Sequence, residues 1–339
     1  MNRRTMIATI VAVPVPMLLL GSCTAWQTPL KPAAEQAQHL YSLLGLMLWV
    51  CGFFYLLVLA FLGWGVWRAR KPAAGRPEIA PADRGLDRAL IVWAALIVVG
   101  LTVLAVGTFF VDRALAAARA DETLVVRVTG QQWWWRVQYR DPASGRWIET
   151  ANELHLPLGR TTRIELGSTD VIHSLWIPNL AGKTDVIPGH ANAFDVTPRR
   201  PGWFRGQCAE FCGAQHAHMA LWAKVEPPAA FAAWLARQAR PAASAVTPEQ
   251  ARGFSVVTEG PCAACHSIRG TPAAGKPGPD LTHLASRRSL AAGALPMTRG
   301  ALQGWITRPQ AVKPGTLMPA VPLSPADADA ASAYLAALQ

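Results

Sequence analysis

The sequence contains few charged residues, since only 16% of its 339 positions are Asp, Glu, Lys or Arg, against about 25% in soluble domains. It also lacks an extended Lys/Arg-rich run, although its net charge is +11. A nucleic-acid-binding face needs clustered basic residues, so we expect no nucleic-acid partner. Apolar residues make up 51% of the chain and its mean hydropathy is +0.20. This composition excludes a disordered chain and indicates membrane segments beside folded domains.

Two long stretches have no charged residue at all. One runs from Leu40 to Trp67 and the other from Ala89 to Val111. About 20 apolar residues suffice for a helix to cross the hydrocarbon core of a membrane, so we predict a transmembrane helix hairpin over residues 39–112. The loop between the two stretches carries basic residues, which the positive-inside rule places in the cytoplasm. They are Arg68, Arg70, Lys71, Arg76, Arg84 and Arg88.

The first residues are typical of an export signal. Arg3 and Arg4 precede an apolar core that ends in small residues, so we predict a signal peptide at residues 1–22. The sequence Leu-Gly-Ser-Cys that ends at Cys23 resembles a bacterial lipobox and would make Cys23 a lipidated N-terminus. An ordinary cleavage site and an uncleaved anchor are the alternatives. We expect a multi-pass protein of the bacterial inner membrane whose folded domains lie on the periplasmic face.

After the second apolar stretch, the pattern changes to that of β-strands. Residues 124–128 and 162–166 alternate or carry β-branched side chains, and turn-forming pairs separate such segments. Several short strands at this spacing predict an antiparallel β-sandwich, which we place at residues 120–228. A Pro- and Ala-rich linker follows. The last part, residues 246–339, is predicted to be all-α because it starts with a capping box and Pro at the first helical position.

Residues 208–219 concentrate side chains that bind metals. They include two cysteines, two histidines and a methionine, and His173 upstream offers a further imidazole. Thiolate and thioether ligands favour copper, whereas two Cys and two His also suit zinc. Two cysteines on one short loop can bridge two metal ions and share charge between them, which suits one-electron transfer. A Cys208–Cys212 disulfide and a structural zinc site are the alternatives, but neither accounts for Met219.

The motif Cys208-x-Glu210-x-Cys212-Gly-x-x-His216-x-x-Met219, with His173 upstream, resembles the CuA domain of cytochrome c oxidase subunit II. The resemblance extends over about residues 40–225, includes the aromatic stretch Gly130–Trp135, and implies a cupredoxin-like fold. It implies that His173 and His216 are terminal copper ligands and that Cys208 and Cys212 bridge the two copper ions. Met219 would be an axial ligand, and the backbone carbonyl of Glu210 would complete the site.

The same resemblance assigns roles to three further residues. The Glu210 carboxylate would meet a Mg²⁺ ion at the contact with subunit I, and Trp133 would be the aromatic residue at which electrons enter. Packing in the core is the alternative role for Trp133. His218 is not a ligand in the family's pattern.

The match departs from the family in the second apolar stretch. The family usually has a Glu three residues before the Trp that opens this helix, near a proton-uptake path of subunit I. Here Leu90 stands three residues before Trp93, and the nearest acidic residue is Asp87. The family's Pro in this helix is missing as well. The family's usual route of proton uptake therefore lacks its acidic residue in this chain.

A second metal-binding motif lies in the C-terminal part. Cys262-Ala-Ala-Cys265-His266 is a C-x-x-C-H sequence, in which both cysteines attach a c-type haem and the histidine binds its iron. A thioredoxin-like motif is the alternative, but the chain has no βαβ pattern around it. A methionine is expected as the sixth iron ligand. Met318 lies in a Gly-Thr-Leu-Met-Pro sequence that resembles the methionine loop of class I cytochromes c, and Met297 is the other candidate.

A cytochrome c domain fused to a CuA domain is the pattern of caa3-type oxidases. The resemblance implies subunit II of a proton-translocating haem-copper terminal oxidase, a cytochrome-c oxidase. Electrons would pass from soluble cytochrome c or another periplasmic donor to the haem, then to CuA, then to subunit I, where O₂ is reduced. Subunit III and membrane lipid are further expected partners, and no residue of this chain is expected to catalyse the O₂ chemistry itself.

Two other functions are consistent with the same residues. One is the electron-input subunit of a nitric oxide reductase that bears CuA. The other is a membrane-anchored copper-binding or copper-delivery protein, which would have no need for a haem domain.

Overall fold

The computed structural model describes residues 26–70, 84–117, 124–141 and 144–339. The predicted signal peptide with Cys23 and the middle of the basic loop, including Lys71 and Arg76, lie outside the described residues. Within these ranges the chain forms a helical hairpin, a β-sandwich and a helical C-terminal domain, which confirms the predicted fold class.

Two long helices form the hairpin. Helix α1 spans Glu35–Ala69 and helix α2 spans Arg84–Ala117. Both extend past the charge-free stretches inside them, because backbone hydrogen bonding continues into the polar flanks. Their apolar side chains are exposed, with Trp49 at 80% and Ile91 at 69%, as lipid-facing side chains would be. Both helices are long and apolar enough to cross a membrane.

The β-sandwich consists of two five-stranded sheets. Its strands are β1 (Val125–Gln131), β2 (Trp134–Arg140), β3 (Trp147–Ala151), β4 (Glu153–Pro157), β5 (Thr162–Ser168), β6 (His173–Trp176), β7 (Thr184–Val186), β8 (Asn192–Val196), β9 (Gly202–Cys208) and β10 (Ala220–Glu226). One sheet has the order β3-β2-β1-β5-β8 and the other β4-β10-β9-β6-β7. Trp135 and Tyr139 from the first sheet belong to the same apolar core as Leu154 and Leu221 from the second, and all four are fully buried.

Each sheet contains one parallel pair, which corrects the prediction of a wholly antiparallel sandwich. Strands β1 and β5 are parallel, with Val126 opposite Ile164, and so are β4 and β10, with Leu154 opposite Ala223. Between β1 and β5 the chain crosses to the other sheet as β4 and then returns. Alternating hydrophobicity identifies a strand and its buried face, but it carries no information on the direction of the partner strand.

The start of α1 is joined to the sandwich. The Gln36 side-chain oxygen accepts a hydrogen bond from Thr197 N at 2.9 Å, and Ala33 N donates to Asn179 O at 2.7 Å. These bonds fix the hairpin against the edge of the folded domain.

The C-terminal domain is built from short helices around a small apolar core. Helix α3 (Pro228–Gln238) closes the sandwich, and after the linker come α4 (Pro248–Thr258), α5 (Arg299–Thr307), α6 (Pro309–Val312) and α7 (Pro325–Leu335). Short 3₁₀ turns cover His216–His218, Pro261–Ala264 and Leu284–Ser286. The predicted capping box at Thr247 and Gln250 is confirmed, because each side chain bonds to the other residue's backbone N–H.

The C-terminal domain also contains a small sheet. Strands β11 (Ser289–Leu290) and β12 (Leu295–Pro296) pair as an antiparallel ribbon, although this domain was predicted to be all-α. Two residues per strand are too few to show an alternating pattern in the sequence.

Candidate metal and haem sites

Three predicted copper ligands meet at one end of the second sheet. His173 begins β6, Cys208 ends β9, and Cys212 follows in the next loop, and all three side chains are buried. Their ligand atoms lie within 4.8 Å of one another. The two sulfur atoms are 3.7 Å apart, much farther than the roughly 2.05 Å of a disulfide bond. The sulfurs are therefore free to bind a metal from both sides.

The remaining predicted ligands surround the same two sulfur atoms. His216 Nδ1 lies 3.6 Å from Cys212 Sγ, and Met219 Sδ lies 3.8 Å from it. The backbone oxygen of Glu210 is 3.2 Å from Cys208 Sγ. The 3₁₀ turn at His216–His218 reverses the chain, so that one loop supplies ligands on both sides. Two thiolates, two imidazoles, a thioether and a carbonyl are the donors that copper prefers, so the site fits the implied metal.

The proximity of the two thiols changes how they ionise. A hydrogen bond from Cys212, together with the contact to His173, holds the pKa of the Cys208 thiol far below its usual value. The same hydrogen bond to the Cys208 sulfur, together with burial, raises the pKa of Cys212, and the repulsion between two thiolates this close acts in the same direction. A metal cation between the sulfurs would remove that repulsion and hold both as thiolates.

A carboxylate that the sequence prediction left without a role fixes His173. Asp170 Oδ1 lies 2.8 Å from His173 Nε2, and Asp170 Oδ2 accepts a hydrogen bond from Gln132 N at 2.6 Å. The ring nitrogen that faces Cys208 is therefore Nδ1, at 3.8 Å from the sulfur. Such a hydrogen-bonded carboxylate orients a ligand histidine. An acidic residue three positions before the histidine was the available signal in the sequence.

Gly130 leaves the space that His173 occupies. A Cβ atom at this position would lie 2.7 Å from the His173 ring, which is closer than packing allows. The glycine that begins the aromatic stretch is therefore required by the histidine on the facing sheet.

The three tryptophans of the aromatic stretch have different surroundings. Trp133 lies in the turn between β1 and β2, and its indole N–H donates to Cys212 O at 2.9 Å. Trp135 is fully buried, with its indole N–H 3.4 Å from Met219 O. Trp134 is half-buried on the opposite face, next to the Arg136 guanidinium. Only Trp133 and Trp135 therefore touch the ligand loop.

His218 points away from the cluster. Its Nδ1 lies 2.8 Å from the Gln215 side-chain oxygen, and the residue is exposed. This placement agrees with the expectation that His218 is not a ligand.

The C-x-x-C-H motif has the geometry of a haem attachment site. Cys262 lies in the 3₁₀ turn, Cys265 follows it directly, and neither forms a disulfide. His266 Nδ1 lies 2.8 Å from Pro279 O, so Nδ1 donates and Nε2 is left for a metal. Burial lowers the pKa of His266, which favours the neutral imidazole that iron binds. A Cβ atom at Gly278 would lie 2.6 Å from the His266 ring.

The two candidate methionines lie in different environments. Met297 packs against the apolar core of the C-terminal domain, as a core residue would. Met318 is half-buried in the loop after α6. Gln310 holds this loop, because its side chain donates to Met318 O at 3.1 Å and accepts from Gly315 N at 2.9 Å. Sequence analysis did not predict this role for Gln310.

The loop that carries Met318 contacts the copper-ligand loop across the boundary between the sandwich and the C-terminal domain. Gln215, which lies between two copper-ligand candidates, donates a hydrogen bond to Pro314 O at 2.8 Å. Gly315 also lies next to the Trp133 ring, since a Cβ atom there would be 3.8 Å from it. The methionine loop therefore rests on the ligand loop of the sandwich, a contact that the sequence did not predict.

Comparison with known proteins identifies the families of both domains. Residues 141–225 match the family described as cytochrome c oxidase subunit II, periplasmic domain, and residues 250–339 match the cytochrome c family. Cytochrome c oxidase subunit 2 of Alkalihalophilus pseudofirmus is 33% identical over 332 residues, which cover 95% of this chain and 94% of that protein. The corresponding protein of Bacillus sp. (strain PS3) is 29% identical over 341 residues, with 95% and 94% covered.

Among solved structures, the chain is similar to the periplasmic domain of subunit II of the cytochrome oxidase of Bradyrhizobium japonicum. The two are 30% identical, the TM-score is 0.33, and the match covers 36% of this chain and 95% of that domain.

Proposed function

Since the chain belongs to the cytochrome c oxidase subunit II family, we propose a residue-level route by which it feeds electrons to the oxidase. The sandwich is the CuA domain, and the C-terminal domain is a cytochrome c domain. Electrons enter at the haem, cross to copper and leave to subunit I. The observation that carries this route is the pair of free thiols 3.7 Å apart, surrounded by two imidazoles and a thioether.

In this proposal the residues around the two sulfurs hold a dinuclear copper centre. When bound, copper supplies one-electron exchange, and the protein supplies a rigid ligand frame that does not rearrange during the exchange. Asp170 keeps the His173 ring in place, and Trp133 holds the ligand loop through its bond to Cys212 O. The ligands are His173, Cys208, the Glu210 carbonyl, Cys212, His216 and Met219.

Four residues would hold the haem in this proposal. Cys262 and Cys265 would attach the porphyrin, and His266 and Met318 would bind its iron. Ligation by histidine and methionine raises the reduction potential of a haem, which suits a haem that accepts electrons from a soluble cytochrome c or another periplasmic donor. The Pro279 carbonyl accepts a hydrogen bond from Nδ1 of His266, which would leave Nε2 of this ring as the iron ligand.

We place the contact with subunit I at the tip of the ligand loop. Phe211 is 77% exposed there although it lies between two copper-ligand residues, and aromatic residues are enriched at protein–protein interfaces. Glu210 is half-buried next to it, so its carboxylate is available for a Mg²⁺ ion between the subunits. Subunit III is a further partner, and the O₂ chemistry and proton translocation belong to the partner subunits.

In the proposed topology the chain crosses the inner membrane twice. Helices α1 and α2 span the bilayer, the basic loop between them faces the cytoplasm, and both redox domains lie on the periplasmic face. Neither alternative function, a nitric oxide reductase subunit or a copper-delivery protein, is favoured by any contact at these sites.

Replacement of one bridging cysteine tests the proposal. In the purified oxidase complex, Cys208→Ser should abolish the near-infrared absorption of CuA and O₂ consumption driven by cytochrome c. The attached haem should still be reducible, because it lies in the other domain. Cys51→Ser, which changes an exposed cysteine in α1, is the matched control and should leave both properties unchanged. Normal O₂ consumption in Cys208→Ser would contradict the proposed route.

A further inference from the structure

Lys313 is a buried cation at the boundary between the two redox domains. It belongs to the cytochrome c domain, directly after α6, and is only 3% exposed. Its ammonium group donates hydrogen bonds to three backbone carbonyls, Trp133 O at 2.8 Å, His218 O at 2.9 Å and Ala291 O at 3.3 Å. Three acceptors match the three N–H donors of an ammonium group, so the charge is fully hydrogen-bonded.

The three carbonyls come from both domains. Trp133 and His218 belong to the sandwich and border the copper ligands, since the Trp133 indole bonds to Cys212 O and His218 precedes Met219. Ala291 belongs to the cytochrome c domain, in the loop between β11 and β12. One side chain therefore joins the base of the methionine loop to the copper-ligand loop.

The hydrogen bonds of Lys313 favour one relative position of the two domains, because any other position would cost this buried charge its acceptors. Burial lowers the pKa of Lys313 to about 8, so the group still carries its charge at neutral pH. In the described part of the chain, no carboxylate forms an ion pair with it. A buried charge without its acceptors is strongly unfavourable, so a shift of either domain would leave the ammonium group unsatisfied. Fully satisfied buried polar groups select one geometry.

Further contacts connect the sandwich to the cytochrome c domain along the boundary where Lys313 lies. Ala220 N donates to Ala292 O at 3.0 Å, and the Arg288 guanidinium lies over the Trp222 ring at 4.6 Å. The Arg288 backbone N–H also donates to the Glu153 carboxylate. The two domains are therefore joined by a set of polar contacts along this boundary, of which the Lys313 hydrogen bonds are one part.

We infer that Lys313 is a positioning residue that locks the methionine loop of the cytochrome c domain onto the copper-ligand loop for electron transfer between them. The inference rests on the proposed electron route. A flexible linker would only raise the effective concentration of one domain near the other. The Lys313 contacts keep the two domains in one relative position, so the domains need not diffuse into contact before each electron transfer.

Lys313→Met tests the inference in the complete oxidase complex, because methionine has a similar length and no charge. After flash reduction of the haem, electrons should reach copper at least about tenfold more slowly than in the wild type, as expected when reacting groups are misplaced by an ångström or so. Copper content, haem content and reduction of copper by a small reductant should be unchanged. Lys276→Met, which removes an exposed lysine from the same domain, should transfer electrons at the wild-type rate.

A second measurement tests docking in the unaltered complex. With an amine-acylating reagent at pH 7, Lys313 should react at least about tenfold more slowly than Lys276, because buried groups exclude the reagent. Equal acylation of the two lysines would overturn the inference even if Lys313→Met failed to assemble. A wild-type rate in a fully loaded Lys313→Met complex would also overturn it. If instead the wild type and Lys276→Met showed no transfer from haem to copper, the proposed route itself would be wrong.

Discussion

Each of two predicted ligand histidines directs one ring nitrogen to its site because an oxygen atom holds the other nitrogen. In the sandwich this oxygen belongs to the Asp170 carboxylate, 2.8 Å from His173 Nε2. In the cytochrome c domain it is the Pro279 carbonyl, 2.8 Å from His266 Nδ1. The hydrogen bond selects the tautomer and the ring orientation before the cofactor binds, so these partners determine how well the ligands are placed.

Asp170→Asn should weaken the hold on copper. The amide is uncharged and holds the His173 ring in place less strongly than the carboxylate does. We therefore expect copper to be retained about 10- to 100-fold less tightly. Competition with a copper chelator, followed by CuA absorption, measures the effect. Asp185→Asn, at an exposed position on β7, is the control. Equal copper retention in both variants would show that the Asp170 bond is not needed.

The choice between two methionines can be decided spectroscopically. Met318→Leu should remove the sixth iron ligand and lower the reduction potential of the haem by on the order of 0.1 V, since axial ligands tune this potential. Met297→Leu should preserve both the spectrum and the potential, because Met297 packs in the apolar core. Redox titration of the two variants provides the comparison, and a lowered potential in Met297→Leu alone would reverse the assignment.

At the scale of elements, a buried charged cluster connects α3 to the second sheet. The His155 ring of β4 stacks on Trp234 of α3 with centroids 3.8 Å apart, and His155 Nδ1 lies 2.8 Å from the Glu226 carboxylate. Burial by itself would raise the pKa of Glu226, but hydrogen bonds from His155 and Lys224 outweigh burial and lower the pKa. The helix is therefore held on the sandwich by a ring stack on His155, whose other contact is to the Glu226 carboxylate, as well as by apolar packing.

This cluster should make the sandwich sensitive to acid. Because the pKa of Glu226 is lower in the folded state than its ordinary value of 4.5, its stabilising contribution is complete above that pH. The contribution is lost as the pH falls through the folded-state pKa. Glu226→Gln should cost about 1–3 kcal/mol at pH 7 and should flatten the loss of stability below pH 4.5.

Denaturant unfolding of the CuA domain between pH 7 and pH 3, within the purified protein, measures this dependence. Glu165→Gln, at an exposed ion pair with Arg127, serves as the control and should change stability by less than about 1 kcal/mol. Parallel acid profiles for the wild type and Glu226→Gln would refute the role of this carboxylate.

At the scale of the whole molecule, the two redox domains form one docked unit. The sequence shows a Pro- and Ala-rich linker between them, which does not indicate how the two domains contact each other. The structure adds hydrogen bonds across the boundary, from Gln215 to Pro314 O and from Lys313 to Trp133 O, and a guanidinium over two tryptophan rings. The polar character of this interface suits domains that must keep a fixed relative position without sharing an apolar core.

The sequence by itself determined the fold class, indicated both cofactor classes and identified the candidate ligands that lie close together in the chain. The Cys208–Met219 loop and the C-x-x-C-H motif could be identified because short spacings along a chain constrain local geometry directly. The apolar stretches likewise determined the helical hairpin, since a membrane-spanning length is visible in composition.

The tertiary structure decided what depends on distant segments. His173 reaches the copper loop only because β6 pairs with β9, with Leu175 opposite Cys208. The parallel strand pairs, the bond from Asp170 and the position of Lys313 between the domains likewise arise from packing. The type of a residue and its spacing from its neighbours do not show which distant surface that residue will face. This depends on how all the elements between the two contacting segments are arranged.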